Sequence, residues 1–248
     1  MKKMHLILAL TLFFLMAVLP RQIQAFKGNM GIKLGFSSGQ LRAEEGEQGF
    51  EVEKFSLSGV CAGLLANFDL TKFLCLQPEI QYFEKGGKYN VQVPIDIPGI
   101  SVSVKDKRSL KYVEIPLLLK FLIPLRGSFR PTFLIGPSMG INLKGKLERS
   151  IKIQVPGFSF SLDETQDLKK ELNDIEFSFV IGGGFDWNLL GGKLVADNRF
   201  FFGLMHNKYK VVVPASKFAA LGFPMAQDAS YDLNMYNYVF SVSIGYLF

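Results

Sequence analysis

Few residues of this sequence could do chemistry. They are one histidine beyond the first residues (His206), two cysteines (Cys61 and Cys75), and the run Gly182-Gly183-Gly184. His206 could serve as a general base for a lipid-modifying enzyme or a protease, given a nucleophile and an orienting acid such as Ser216 or Asp228. Nothing in the spacing of these three demands that arrangement, so no catalytic residue is assigned and the chain is read as non-enzymatic. The glycine run lacks the strand–loop–helix setting of a phosphate loop. Glycines on an inward face instead make room for bulky neighbours or allow tight curvature. No His, Cys, Asp or Glu cluster has metal-ligand spacing, and no cofactor is expected. Hairpin pairing about residues 69–72 sets Cys61 opposite Ile80 and Cys75 opposite Ala66, so two free, buried thiols are expected even in an oxidising compartment.

The elements that must hold these residues begin with a segment that is read as removed. Lys2 and Lys3 precede an apolar run from Leu6 to Leu19, and a polar stretch ends at Ala25 before Phe26. The run is too short to span a bilayer as a helix and reads as a secretory signal peptide over 1–25, cut between Ala25 and Phe26. Of 248 residues, 48% are hydrophobic and 20% charged, which excludes a disordered chain. The formal net charge of +6 is halved once Lys2, Lys3 and Arg21 are gone, leaving no support for nucleic-acid binding.

Residues 26–248 carry eight segments with period-two alternation. In the clearest, Val113, Ile115, Leu117, Leu119 and Phe121 share one face, and Tyr112, Glu114, Lys120 share the other. In the last, Tyr238, Phe240, Val242, Ile244, Tyr246 and Phe248 face away from Ser241, Ser243 and Gly245. Short connections at 69–72, 124–128 and 188–192 alternate with long ones at 39–54, 84–109, 144–174 and 206–236. That pattern predicts an all-β fold, an eight-stranded antiparallel up-and-down transmembrane β-barrel with short periplasmic turns and long outer loops. One face is aliphatic and aromatic, with Trp187, Tyr238, Tyr246 and Phe248 near strand ends where interfacial girdles lie. The other mixes Gly and Ser with charges, the reverse of a soluble barrel.

The stretch Tyr112-Val-Glu-Ile-Pro-Leu-Leu-Leu-Lys120, Gly136-Pro137 and the terminal Tyr246-Leu-Phe248 resemble the PorT-like outer-membrane β-barrel family over residues 30–248. The resemblance implies residence in the outer membrane of a diderm bacterium, among outer-membrane lipid. One branch of that family is associated with a dedicated secretion apparatus. The ending at Tyr246 and Phe248 resembles the signal read by the barrel-insertion machinery, which is thereby an expected partner.

An eight-stranded barrel is just filled by side chains, so no open pore is expected. Glu79, Glu114, Lys120, Arg130, Glu176 and Arg199 are expected to form a polar network in the lumen, with Lys33, Asp186 and Asp197 also inward. It is read as a structural plug, against the alternative of a gated ion path. In the loops, Val91–Val104 and Ile151–Leu162 each alternate about a Pro-Gly turn and predict projecting hairpins, and a short helix is expected over 163–172. Their apolar residues Val93, Ile95, Ile97, Phe158 and Phe160 either cap the barrel or form a docking surface for an envelope protein. The leading expectation is an interaction barrel within an envelope or secretion assembly, the alternative a narrow channel or conduit for small solutes.

Overall fold

The structure is a computed structural model that describes residues 28–43, 52–93, 99, 101–125, 127–169, 172–213 and 229–248. Ten strands follow in chain order: β1 (Gly28–Ala43), β2 (Val52–Asp69), β3 (Leu74–Val93), β4 (Ser101–Leu122), β5 (Phe129–Val155), β6 (Phe158–Asp167), β7 (Ile175–Leu189), β8 (Gly192–Gly203), β9 (Asn207–Val213) and β10 (Ala229–Leu247). Eight of them pair antiparallel in the order β1-β2-β3-β4-β5-β7-β8-β10, and β10 returns to β1 from Gly31↔Leu247 to Ala43↔Met235. The ring is an eight-stranded barrel with no open edge. Among the described residues β6 pairs only with β5, and β9 only with β10.

The pleat sorts the residues as the alternation predicts. On β1, Met30, Ile32, Leu34 and Phe36 are exposed while Gly31, Lys33, Gly35 and Ser37 are buried. Exposed Val242, Ile244, Phe200, Phe179, Phe133 and Phe121 continue this apolar band around the outside. A barrel that turns its large apolar side chains outward and its charges inward is solvated by lipid, not water.

The strands outrun the membrane. Expected at roughly bilayer length, β3, β4 and β5 instead have 20, 22 and 27 residues. A strand needs only about 9–11 residues to cross. Segments read as long loops are therefore continuations of the sheet, in which β2 to β6 project beyond the band. The Pro156-Gly157 turn is present, with Gly157 at φ 85°, and Gly99 likewise has φ 84°, where a side chain is disfavoured. The helix expected over 163–172 is not formed: residues 163–167 belong to β6, set against 146–150 of β5. Asp167 opposes Lys146 and Glu164 opposes Arg149, so cross-strand charge pairing and an available edge outweigh the local helical signal.

The pairing of β2 with β3 corrects the expected cysteine register. Cys61 faces Phe83 and Cys75 faces Asp69, because the bend lies at Leu70–Phe73, where Leu70 and Thr71 donate their N–H groups to the Leu74 carbonyl at 2.9 Å. Both thiols are free and buried, and the Cys75 Sγ donates to Asp69 Oδ1 at 2.9 Å.

Candidate functional site

Inward side chains on successive strands recur in the same order from the periplasmic end outward. Leu65, Val195 and Leu247 pack together first. Beyond them the carboxylates and cations of β1, β3 and β8 meet. Arg199 donates from Nη1 and Nη2 to the two oxygens of Glu79, both at 2.8 Å, and from Nη2 to Asp197 at 2.8 Å. Lys33 lies 3.1 Å from Asp197 and 3.5 Å from Glu79, and the Ser243 hydroxyl donates to Asp197 at 2.8 Å. Two cations balance two carboxylates. Over the intervening β5, Lys120 of β4 donates to Asp186 of β7 at 2.5 Å.

An apolar layer then closes the barrel. Cys61, Phe83, Leu118, Leu134, Val180, Phe201 and Val239 come from seven strands, with the Phe83 and Phe201 rings 4.9 Å apart. Above it, Lys85 reaches Glu114 at 2.6 Å and Glu176 at 3.0 Å, while Ser138 donates to Glu114 and Asn237 to Glu176. A second apolar layer includes Leu41, Tyr112, Leu147 and Met235, and here Leu168 and Leu172 from beyond β6 fold over the mouth. Asp106 follows, held by Arg149 through two 2.8 Å contacts and by Arg108 at 3.5 Å. Val102, Val104, Ile151 and Ile153 form the outermost layer.

The clusters around Arg199, Lys85 and Asp106 thus lie between apolar layers, whereas Asp186 also meets the partly exposed Lys193 at 3.8 Å. Buried charges are tolerated because each is paired and hydrogen-bonded. The inward glycines serve these clusters. A Cβ at Gly182 would sit 2.8 Å from Arg199 Cγ, and one at Gly184 2.9 Å from Asp197 Cβ.

Five of the six residues expected in the lumen network are there: Glu79, Glu114, Lys120, Glu176 and Arg199. Arg130 is not. It is exposed at the periplasmic mouth, lining a cleft of about 340 Å³ with Lys193, Lys72 and Asp69, because it lies below Thr132, the last buried inward residue of β5. The pairs also skip strands, β3 to β8 across the lumen and β4 to β7 over β5, more than they join neighbouring strands. Lys85, Asp106, Arg108 and Arg149 were missed, since they fall where loops were expected. Their signal was the continued alternation of Val102, Val104, Asp106, Arg108 and Leu110 against Ser and Lys.

On the outer sheet, Phe158 and Phe160 are 71% and 46% exposed, and every residue of β6 is exposed. Val93 ends β3 opposite Val102, while Ile95 and Ile97 lie outside the described residues, as do Ala25, Phe26, Ser216 and Asp228. His206 is exposed, its ring 6.1 Å from that of Tyr236. Tyr246 donates its hydroxyl to the carbonyls of Leu189 and Leu190 at 3.0 Å, and its ring lies 5.5 Å from that of exposed Phe248. Among the described residues no group of three His, Cys, Asp or Glu could hold a metal ion.

Several solved structures resemble this one. The outer membrane protein OprG from Pseudomonas aeruginosa is 14% identical with a TM-score of 0.44, covering 90% of this chain and 97% of that one. The outer membrane protease OmpT from Escherichia coli is 12% identical with a TM-score of 0.44, covering 90% and 98%. Ail, the attachment invasion locus protein of Yersinia pestis, solved with the heparin analogue sucrose octasulfate, is 12% identical with a TM-score of 0.35, covering 90% and 99%. No curated protein matches significantly. Residues 24–209 match the outer membrane protein beta-barrel domain, and the chain belongs to that family and resides in the outer membrane of a Gram-negative bacterium.

Proposed function

We propose that this barrel is a non-enzymatic anchor whose extracellular sheet docks an envelope partner, in the manner expected of the PorT-like branch and its association with a secretion apparatus. The observation that carries this reading is β6. It is a ten-residue edge strand with every residue exposed, bonded on one side only among the described residues. An edge of this length is a template for strand addition. Its apolar face is continuous with a buried one: Phe158 opposes Val155, Phe160 opposes buried Ile153, and Leu162 opposes buried Ile151. The face that β4 and β5 bury is uncovered on β6, and such patches mark interaction sites. The layered lumen supports an anchor over a solute channel.

The test compares the full chain with a Phe158→Asp, Phe160→Asp variant, each extracted in mild detergent from its own membrane. A stoichiometric envelope protein should accompany the first and be lost from the second, with both barrels still heat-modifiable on gels. Equal association of both, or a wild-type barrel extracted alone, would sink the docking role.

A further inference from the structure

The outward face of β3, β4 and β5 carries a concentration of lysine immediately above the lipid-facing band. On β4 the outward residues change from Val113 and Ile115 to Lys111, Lys107 and Lys105, and on β5 from Ile141 and Leu143 to Lys144, Lys146 and Lys152. Lys88 adds to them from β3. Two carboxylates answer this charge on the three strands: Glu84 lies 3.3 Å from Lys111, and Glu148 is shared between Lys107 at 2.8 Å and Lys146 at 2.5 Å.

The cross-strand register makes the concentration unusual. Lys111 stands directly opposite Lys144, and Lys88 directly opposite Lys107. Directly opposed residues have Cβ atoms about 5 Å apart, and like charges there destabilise the sheet. The first juxtaposition is made by a β-bulge. The register passes from Tyr112↔Asn142 to Lys111↔Lys144, leaving Leu143 as the extra residue and aiming Lys144 outward beside Lys111. Without the bulge Lys111 would face an aliphatic residue.

We propose that Lys111 and Lys144, with Lys88, Lys107 and Lys146 beside them, form a binding site for the phosphate of an outer-leaflet glycolipid. The height of the cluster selects this ligand over a soluble one. Its acyl chains would lie along the apolar band below Lys111, on Val113, Ile141 and exposed Leu143, while the headgroup phosphate meets the ammonium groups at the boundary. Lysine acts on phosphate as a point charge and needs no bidentate geometry, so two flexible stems converging from opposed positions suit one phosphate. Of these lysines only Lys146 stands opposite β6, at Asp167, while Lys111 and Lys144 pair with each other, so either reading can fail without the other.

The test measures binding of monophosphoryl lipid A to the purified full barrel in detergent by native mass spectrometry, against the same lipid after enzymatic removal of its phosphate. The phosphorylated lipid should remain bound where the dephosphorylated one does not. Lys144→Gln and Lys111→Gln should each weaken binding roughly fivefold to tenfold. Lys144 lies on the surface with no carboxylate partner among the described residues, so that variant should keep the folded gel mobility. Equal binding of the two lipids, or unchanged affinity in both variants, overturns the site. So does displacement of the lipid by millimolar inorganic phosphate, which would mark a general anion patch.

Discussion

Replacing Arg199 by Met tests whether the lumen clusters are dry. The change keeps an unbranched apolar stem in place of the guanidinium and removes three contacts of 2.8 Å, two to Glu79 and one to Asp197, at a residue only 1% exposed. Lys33, at 3.1 and 3.5 Å, is then the one remaining cation between two carboxylates. At 2.8 Å a unit charge pair is worth about 1.5 kcal/mol in water and about 6 kcal/mol at an effective dielectric of 20, before desolvation is subtracted. Breaking a buried pair from one side typically costs about 3–5 kcal/mol, because the charge left behind has no water to turn to. A water-filled lumen would absorb the loss at about 1 kcal/mol or less. Urea unfolding of the barrel in lipid vesicles, followed by Trp187 fluorescence and gel mobility, distinguishes the two. Arg199→Met together with Glu79→Gln leaves Lys33 balanced by Asp197 and should recover most of the loss. A single variant within 1 kcal/mol of wild type, or a double variant no better than the single, would refute the reasoning from a dry, charge-balanced layer.

Three further outcomes follow from the structure. Leu190, 88% exposed in the two-residue turn between β7 and β8, has φ 51°, so Leu190→Asn should stabilise the barrel by about 0.5–1 kcal/mol in the same urea assay, and a loss would contradict that turn. Gly184→Val should prevent barrel closure, seen as absent heat-modifiability, because even a Cβ there would lie 2.0 Å from the Ala196 carbonyl oxygen; a normally folded variant would overturn the tight curvature. Hydrogen bonds first from Lys107 and then from Lys146 hold the exposed Glu148 carboxyl down from its ordinary 4.5 to about 2. Its contribution to the outer sheet is therefore present above pH 4.5 and lost as pH falls through about 2. Carbon-13 titration should find that midpoint and Lys107→Gln should raise it, whereas an unshifted midpoint in wild type would contradict the pairing.

The barrel was legible because lipid imposes a two-sided contrast on every crossing strand. Met30, Ile32, Leu34 and Phe36 against Gly31, Lys33, Gly35 and Ser37 cannot be read another way. The outer sheet was illegible for the same reason. Beyond the membrane both faces of β4 can be polar, so Asp106 and Arg108 looked like loop residues beside Lys105 and Lys107 although the first two are buried. Within the lumen, strand parity identified which charges point inward, but not their partners. Arg199 finds Glu79 across the barrel, a consequence of small radius and strand tilt that one sequence does not display. Arg130 has the inward parity, yet parity carries no information about height, and it falls outside the last buried layer. The two-residue turn at Leu190–Gly191 and the bulge at Leu143 depend on pairing, which local sequence leaves open.

The docking role is tested most directly by placing a photo-crosslinking amino acid at Phe160 and, as a control on the lipid-facing surface, at Phe133, then irradiating intact cells. One discrete adduct of higher mass is expected from position 160 and none from position 133. A barrel that forms no adduct from position 160, or forms the same adducts from both positions, would contradict it.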